Sequence, residues 1–257
     1  MSRTYAFFIC LCLAGCSWSA PVEAQKIAGG LSERQISINS SFAGEVLTLF
    51  GNVEPQTGST QKYVEGPFDI VVVVTGPALD RVARRKTNNF GLWINTEELV
   101  FTNFPSFKWV LSSGHLTDIA SEAVLEDLNI PLNRFPDLVK THGNGNSEIL
   151  GNELVRLMTE RGLFGLDERG VVFQSGTLYS VQIPLPADVP NGTFLAESFL
   201  FQNGKLLAHK GERFAVRKTG FERFVGDSAR NDPVLYGLAA VFLAMFTGWL
   251  GGAVFRR

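Results

Sequence analysis

Beyond Cys16 the chain has no cysteine, because Cys10, Cys12 and Cys16 are the three that its 257 residues contain. Whatever follows them holds no disulfide and performs no thiol chemistry. Residues 25–232 are numerous enough to bury a core without such staples. Histidine is as scarce: His115, His142 and His209 stand far apart, with no Asp or Glu at metal-ligand spacing. Surface or hydrogen-bonded imidazoles are therefore expected rather than a metal site. No Gly-x-Ser-x-Gly elbow and no phosphate-cradling glycine loop occurs, and Gly143-Asn144-Gly145 reads as a turn. The net charge of −2 and a pI near 6.0 give no electrostatic support to nucleic-acid binding. The acidic pairs Glu97-Glu98 and Glu126-Asp127 are expected to be solvated. No cofactor and no enzymatic activity are expected.

Formal charge is missing altogether from Val234 to Val254, a run of 21 residues. At about 1.5 Å of rise per residue, such a run is roughly as long as a hydrocarbon core is thick. A single C-terminal transmembrane helix over 233–255 is expected. Arg256 and Arg257 would place a short tail, 256–257, on the cytoplasmic side, and Tyr236 and Trp249 fall near the two interfaces. At the other end, Arg3, the apolar stretch Tyr5 to Gly15 and the closing Val22-Glu23-Ala24 read as a signal peptide over 1–24. A rival reading takes Leu13-Ala14-Gly15-Cys16 as a lipobox that lipidates Cys16. Together these features imply a single-pass protein of the inner membrane with a periplasmic N-terminal domain.

The expected domain, 25–217, is mainly β. Glu45 to Phe50, Phe68 to Thr75, Gly91 to Asn95 and Leu99 to Phe101 are β-branched and aromatic runs punctuated by Gly, Pro and Asn. FDIVVVVTGP is almost continuously apolar, as a central strand buried on both faces must be. From about 115 to 165 the period turns helical. One helix behind Thr117 would bury Ile119, Ala120, Ala123, Val124 and Leu128 and stop at Asn129 to Pro131. A second, from about Ser147 to Arg161, would bury Ile149, Leu150, Leu154, Leu157 and Met158, with Gly162 as its C-cap. The link PLNRFPDLVKTHGNGN reads as a mobile loop. Strands resume at Val171 to Phe173, Thr177 to Pro184, Thr193 to Phe201, Leu206 to Ala208 and Arg213 to Arg217, with a hairpin turn at Asn203-Gly204. The expected fold is an immunoglobulin-like β-sandwich with a helical insertion, followed by a juxtamembrane amphipathic segment at 218–232 carrying Phe221, Phe224 and Val225.

Three stretches are candidate sites. Arg81, Arg84, Arg85 and Lys86 run into Trp93, so guanidinium forks beside an indole could receive a small anion or a partner's carboxylates. The competing reading is a solvated loop before a strand, with Trp93 in the core. Phe104-Pro105-Ser106-Phe107-Lys108-Trp109 reads as core packing before it reads as a docking face. Ala240, Ala244, Gly248 and Gly252 recur every four residues along the span, a ridge that admits a second helix, as in a homodimer or a complex with a multi-spanning protein.

Four stretches, FDIVVVVTGP, RRKTNNFGLWINTEELVFTNFPSF, IPLPADVPNGTF and RKTGFERFVGDSARNDPVLYGLAAVF, make the chain resemble the alphaproteobacterial transmembrane family Alph_Pro_TM over nearly its whole length. The resemblance implies a signal-bearing, single-span inner-membrane protein with a periplasmic domain. It assigns no catalytic residue, and it points to a transporter as the class of partner. The reading is of an interaction or accessory subunit of a membrane complex, with a periplasmic binding module for a small anion as the alternative. Edman sequencing or intact mass of the mature protein is expected to place the first residue at Gln25. An acylated Cys16 at the N-terminus would replace that cleavage with the lipobox reading.

Overall fold

The computed structural model describes residues 25–39, 42–55, 64, 66–132, 139–219 and 221–254. The signal sequence, the lipobox, the centre of the 131–146 link and the terminal arginines lie outside the described residues.

The first large sheet is built from β1 (Gln25–Leu31), β3 (Glu45–Pro55), β10 (Val171–Phe173) and β11 (Leu178–Leu185), in the order β1-β3-β11-β10. The second takes β2 (Gln35–Ile38), β4 (Asp69–Thr75), β7 (Lys108–Ser112), β9 (Phe164–Asp167), β12 (Gly192–Gln202) and β13 (Lys205–Lys218), ordered β2-β13-β12-β4-β7-β9. Pairing is antiparallel except along β2 with β13 and β7 with β9. The two sheets share one apolar core, so the fold is mainly β and sandwich-like. Lettered in chain order, β1-β3-β11-β10 and β13-β12-β4 follow the A-B-E-D and G-F-C orders of an immunoglobulin sandwich. The parallel β7–β9 edge, the helices and a third sheet have no counterpart in that scheme.

Strand β4 explains its own sequence. Ile70, Val72 and Val74 point into the inter-sheet core, while Val71 and Val73 point the other way into a second cluster with Val110, Phe199, Phe201, Ile119, Leu125 and Ile130. All five β4 residues from Ile70 to Val74 are buried. Side chains alternate along a strand, so an unbroken apolar run is stable only where both faces are covered. Each buried valine contributes about 2 kcal/mol.

The cover on the second face is helical, though not as one helix. α1 (Leu116–Ile119) and α2 (Glu122–Asp127) are separated by extended Ala120 and Ser121, with His115 and Ser121 at the N-caps rather than Thr117. The break lets Ile119, Ala120 and Leu125 all reach the sheet, and Ala123, expected inside, is exposed. Asn129 ends α2 with φ +53°. The next helix, α3 (Ser147–Glu160), is capped by the Asn146 side chain, which accepts from the Ile149 N–H, and ends at Gly162 with φ +69°. It buries Leu150, Gly151 and Met158, whereas Ile149 and Leu157, expected inside, are exposed. Part of the expected loop before it is β8 (Thr141–Gly143).

β5 (Ala78–Asn89) and β6 (Leu92–Pro105) form a long antiparallel hairpin that pairs with β8 in a third sheet, order β5-β6-β8. β12 and β13 make a second long hairpin, turning at Asn203 (φ +50°) and Gly204 (φ +78°). The two expected strands at 206–208 and 213–217 are one continuous strand. From β13 the chain runs into α4 (Phe221–Asn231) and then α5 (Pro233–Val254). Proline suits the first turn of α5, where its missing N–H has no intrahelical partner. The side chains of Phe221 and Phe224, on which an amphipathic α4 depends, are outside the described residues.

At the centre of the first sheet Gly51 faces Tyr179 across the β3–β11 ladder. The fully buried phenol lies over the glycine, so that a Cβ at 51 would fall inside its ring. Gly51→Ala is expected to lower stability by about 3 kcal/mol, as overpacking of a rigid core does, while Gly30→Ala, with open space around it, is expected to change little. Thermal unfolding of the two variants in detergent checks this, and equal melting temperatures would contradict the packing described.

Candidate functional site

The basic cluster and Trp93 lie on the β5–β6 hairpin. Phe90 (φ +53°) and Gly91 (φ +84°) make the turn, two left-handed residues as a type I′ hairpin requires. Asn88 Oδ1 accepts from the Gly91 N–H at 2.9 Å. Register shifts between Leu79 and Arg81 and between Arg85 and Lys86 mark irregularities in the ladder. Its root is held firmly. Phe101 and Phe104 are fully buried, Phe104 stacks on Phe164 at 5.7 Å, and Ser106 Oγ donates to Pro77 O at 2.6 Å. The last ties to the body are Glu98 N–H to Asn144 Oδ1 at 2.9 Å and Asn144 N–H to Glu98 O at 3.0 Å. Beyond them the ribbon has no cover among the described residues and stands as an arm, and six residues, Leu92 to Glu97, at about 3.3 Å each carry its tip roughly 20 Å outward.

This overturns the expectation of a solvated loop followed by a core Trp93. Arg81 to Lys86 are strand residues, and Trp93 is 68 % exposed at the far end, opposite Asn88. Nor do the cations converge on the indole. Arg84 Nε donates to Glu98 at 2.6 Å, and Arg85 lies 3.5 Å from Glu97. Glu97 and Glu98 are thus not simply solvated; they neutralise the arginines across the ladder. Lys86 faces Asn95 and has no ion pair among the described residues. Arg81 is partly buried near the root, and its Nε has no hydrogen-bond partner among the described residues. A two-stranded ribbon is marginal in water unaided, so these cross-strand pairs serve to hold the arm straight. Exposed pairs of this kind contribute only about 0.2–1 kcal/mol each. At the end sit Phe90, Leu92, Trp93 and Ile94, all exposed.

Phe104 to Trp109 is core, as expected: Phe104 and Phe107 are fully buried, and Trp109 Nε1 donates to Gly162 O at 2.9 Å. Within it lies a residue that sequence reasoning passed over. Lys108 is 1 % exposed on the helix-covered face of β7. Its Nζ donates to the carbonyls of Asn129 at 2.7 Å and Pro131 at 3.4 Å, pinning the chain that leaves α2. Burial lowers its pKa to about 8. The signal was available in the period of two, which sets Lys108 on the same face as the buried Val110. Lys108 borders a shallow cleft of about 360 Å³ with Asp127, Glu197, Phe199 and His209. There His209 stacks on Phe199 at 4.7 Å and meets Glu197 at 3.1 Å.

The histidines do not converge. His115 Nδ1 lies 2.6 Å from Glu168, whose carboxylate also accepts from the Leu116 N–H. The His115 contact first, and then that N–H, hold the Glu168 carboxyl below its ordinary range. Among the described residues no cluster of His, Cys, Asp and Glu could hold a metal.

In α5 the residues Ala240, Ala244, Gly248 and Gly252 fall on one helical face by their spacing of four, and Gly248 and Gly252 have no neighbour within 4 Å. Phe242 stacks on Phe246, whose ring meets Trp249 at a tilt of 35°. Pro233–Ala253 is long and apolar enough to span a bilayer, with mean hydropathy 1.8 and none of it buried against the protein.

The low pKa of Lys108 has a definite sign in stability. Below about pH 8 the folded protein carries a buried charge at a cost. Between about 8 and the unfolded value of 10.5 the unfolded chain binds a proton that the folded one has released, so stability rises with pH. The gain over that window is at most about 3 kcal/mol. The melting temperature of wild type relative to Lys108→Met is expected to climb from pH 8 to 10.5, and a constant gap would show that Lys108 titrates normally.

No curated protein matches the chain. The sequence profile of the family described as "Putative transmembrane protein (Alph_Pro_TM)" matches residues 26–257, which takes in the sandwich, the projecting arm, α4 and α5. With that match over nearly the full length and an uncovered apolar helix at its end, the chain belongs to the Alph_Pro_TM transmembrane family.

Proposed function

We propose that this protein is a non-catalytic interaction or accessory subunit of an inner-membrane complex, such as a transporter or an envelope assembly. In this reading a cleaved signal peptide exports the sandwich to the periplasm, α5 crosses the inner membrane once, and Arg256 and Arg257 stay in the cytoplasm. The observation that carries the proposal is the arm. The candidate residues of the sequence are strung along a projecting ribbon instead of lining a concavity, and small-molecule sites are concave. The anion-binding alternative is weakened by the same geometry, since Glu98 and Glu97 are already paired with Arg84 and Arg85. The ridge Ala240, Ala244, Gly248 and Gly252 supplies a face for close helix approach, whether to a partner's helix or to a second copy.

Affinity capture of the tagged protein from crosslinked native membranes, read by mass spectrometry, tests the reading. A multi-spanning protein is expected with wild type and is expected to be lost from Gly248→Leu and Gly252→Leu. Recovery of no specific partner by wild type would overturn the accessory-subunit role.

A further inference from the structure

The tip of the arm is apolar on both faces of the ribbon. Phe90 occupies the turn, and Leu92, Trp93 and Ile94 follow it, all exposed, with Lys86 the nearest cation behind them. A fold that buries every residue from Ile70 to Val74 leaves four consecutive large side chains, broken only by Gly91, in water.

The topology says which way out of the sandwich the arm is rooted. Thr75 at the end of β4 pairs with Leu195 of β12 and with Lys108 of β7, and Gly192 of β12 pairs with Val216 near the end of β13. β4 and β13 are each antiparallel to β12, so their C-terminal ends lie at the same end of the sheet. From the end of β4 the chain passes Pro77 into β5, and from the end of β13 it passes through α4 into the apolar α5. The entry to the arm lies beside that end of β13, since Pro77 packs against Gly192, the residue that pairs with Val216. The arm therefore springs from the same end of the sandwich as the segment that carries the chain into the bilayer.

From this juxtaposition we propose that the arm's tip, Phe90 to Ile94, is a membrane-contact element that seats in the interface of the same bilayer that holds α5, with Lys86 directed to lipid phosphates. An indole and a phenyl ring followed by a cation match the interface in the order in which it changes from hydrocarbon to headgroup. A reach of roughly 20 Å beyond the last tie to the body suits a leg that sets the domain's tilt, which a single span leaves free to swivel. The inference needs the span alone and stands whether or not a protein partner exists.

The test uses the full chain reconstituted into vesicles of phosphatidylethanolamine and phosphatidylglycerol with dibrominated acyl chains, where the emission of wild type minus that of Trp93→Phe isolates Trp93 from Trp18, Trp109 and Trp249. Bromolipid is expected to remove the Trp93 component. Leu92→Asp, a change at an exposed position that leaves the fold intact, is expected to restore it and to open Trp93 to aqueous acrylamide. A wild-type Trp93 component that bromolipid leaves unchanged would overturn the proposal in either of two ways. Quenching by acrylamide would place the tip in water, and protection from both quenchers would place it against a second copy of the chain. Because no other protein is present, these outcomes are independent of the affinity capture.

Discussion

The two-sided burial of β4 is the constraint on which the rest of the molecule depends. A strand whose alternate side chains are all valine or isoleucine needs a sheet on one face and some further cover on the other. The first is met by β3 and β11, whose inward residues Leu47, Leu49, Val181 and Ile183 close the sandwich. The second is met by α1 and α2, which lie over Val71, Val73 and Phe199 with Ile119, Ala120 and Leu125. Placing helices there has a cost that the structure absorbs locally. The chain leaving α2 must turn back over β7, and its carbonyls at Asn129 and Pro131 are satisfied by the buried ammonium of Lys108. A cation is desolvated so that backbone acceptors are not.

The arm follows from the opposite condition. β5 and β6 run past the body they spring from, and only their root is buried, at Leu99, Phe101 and Phe104. Past Glu98 no second layer covers the ribbon among the described residues, and it is ordered by a left-handed turn and by arginine–glutamate pairs across the ladder. The charge of that stretch is spent on its own straightness. Its apolar end is exposed, with no partner among the described residues, which is why the end, and not the basic cluster behind it, is the candidate contact surface.

Membrane attachment is coupled to this layout through chain direction alone. Because β4 and β13 run parallel, the loop into the arm and the segment toward α5 emerge together, and Pro233 starts the apolar helix where a missing N–H is harmless. Thr247 donates back to the carbonyls of Leu243 and Ala244, which satisfies its hydroxyl inside the span. The ridge of small residues and the row of Phe242, Phe246 and Trp249 give α5 two chemically distinct faces.

By itself the sequence determined what depends on local composition and period. The apolar span, the buried central strand, the Asn203-Gly204 hairpin, the C-cap at Gly162 and the family membership were all legible, because each is written in consecutive residues. Only the tertiary structure decided where a side chain of ambiguous character went. Trp93 was as plausible in a core as on a surface until β5 and β6 proved to outrun the body. The one expected helix became α1 and α2 because reaching a flat sheet with Ile119, Ala120 and Leu125 required an extended break. Arg84 and Arg85 looked free because Glu98 and Glu97, their partners, are distant in sequence and adjacent only across the ladder. Burial and pairing are properties of what lies opposite, and what lies opposite is set by topology.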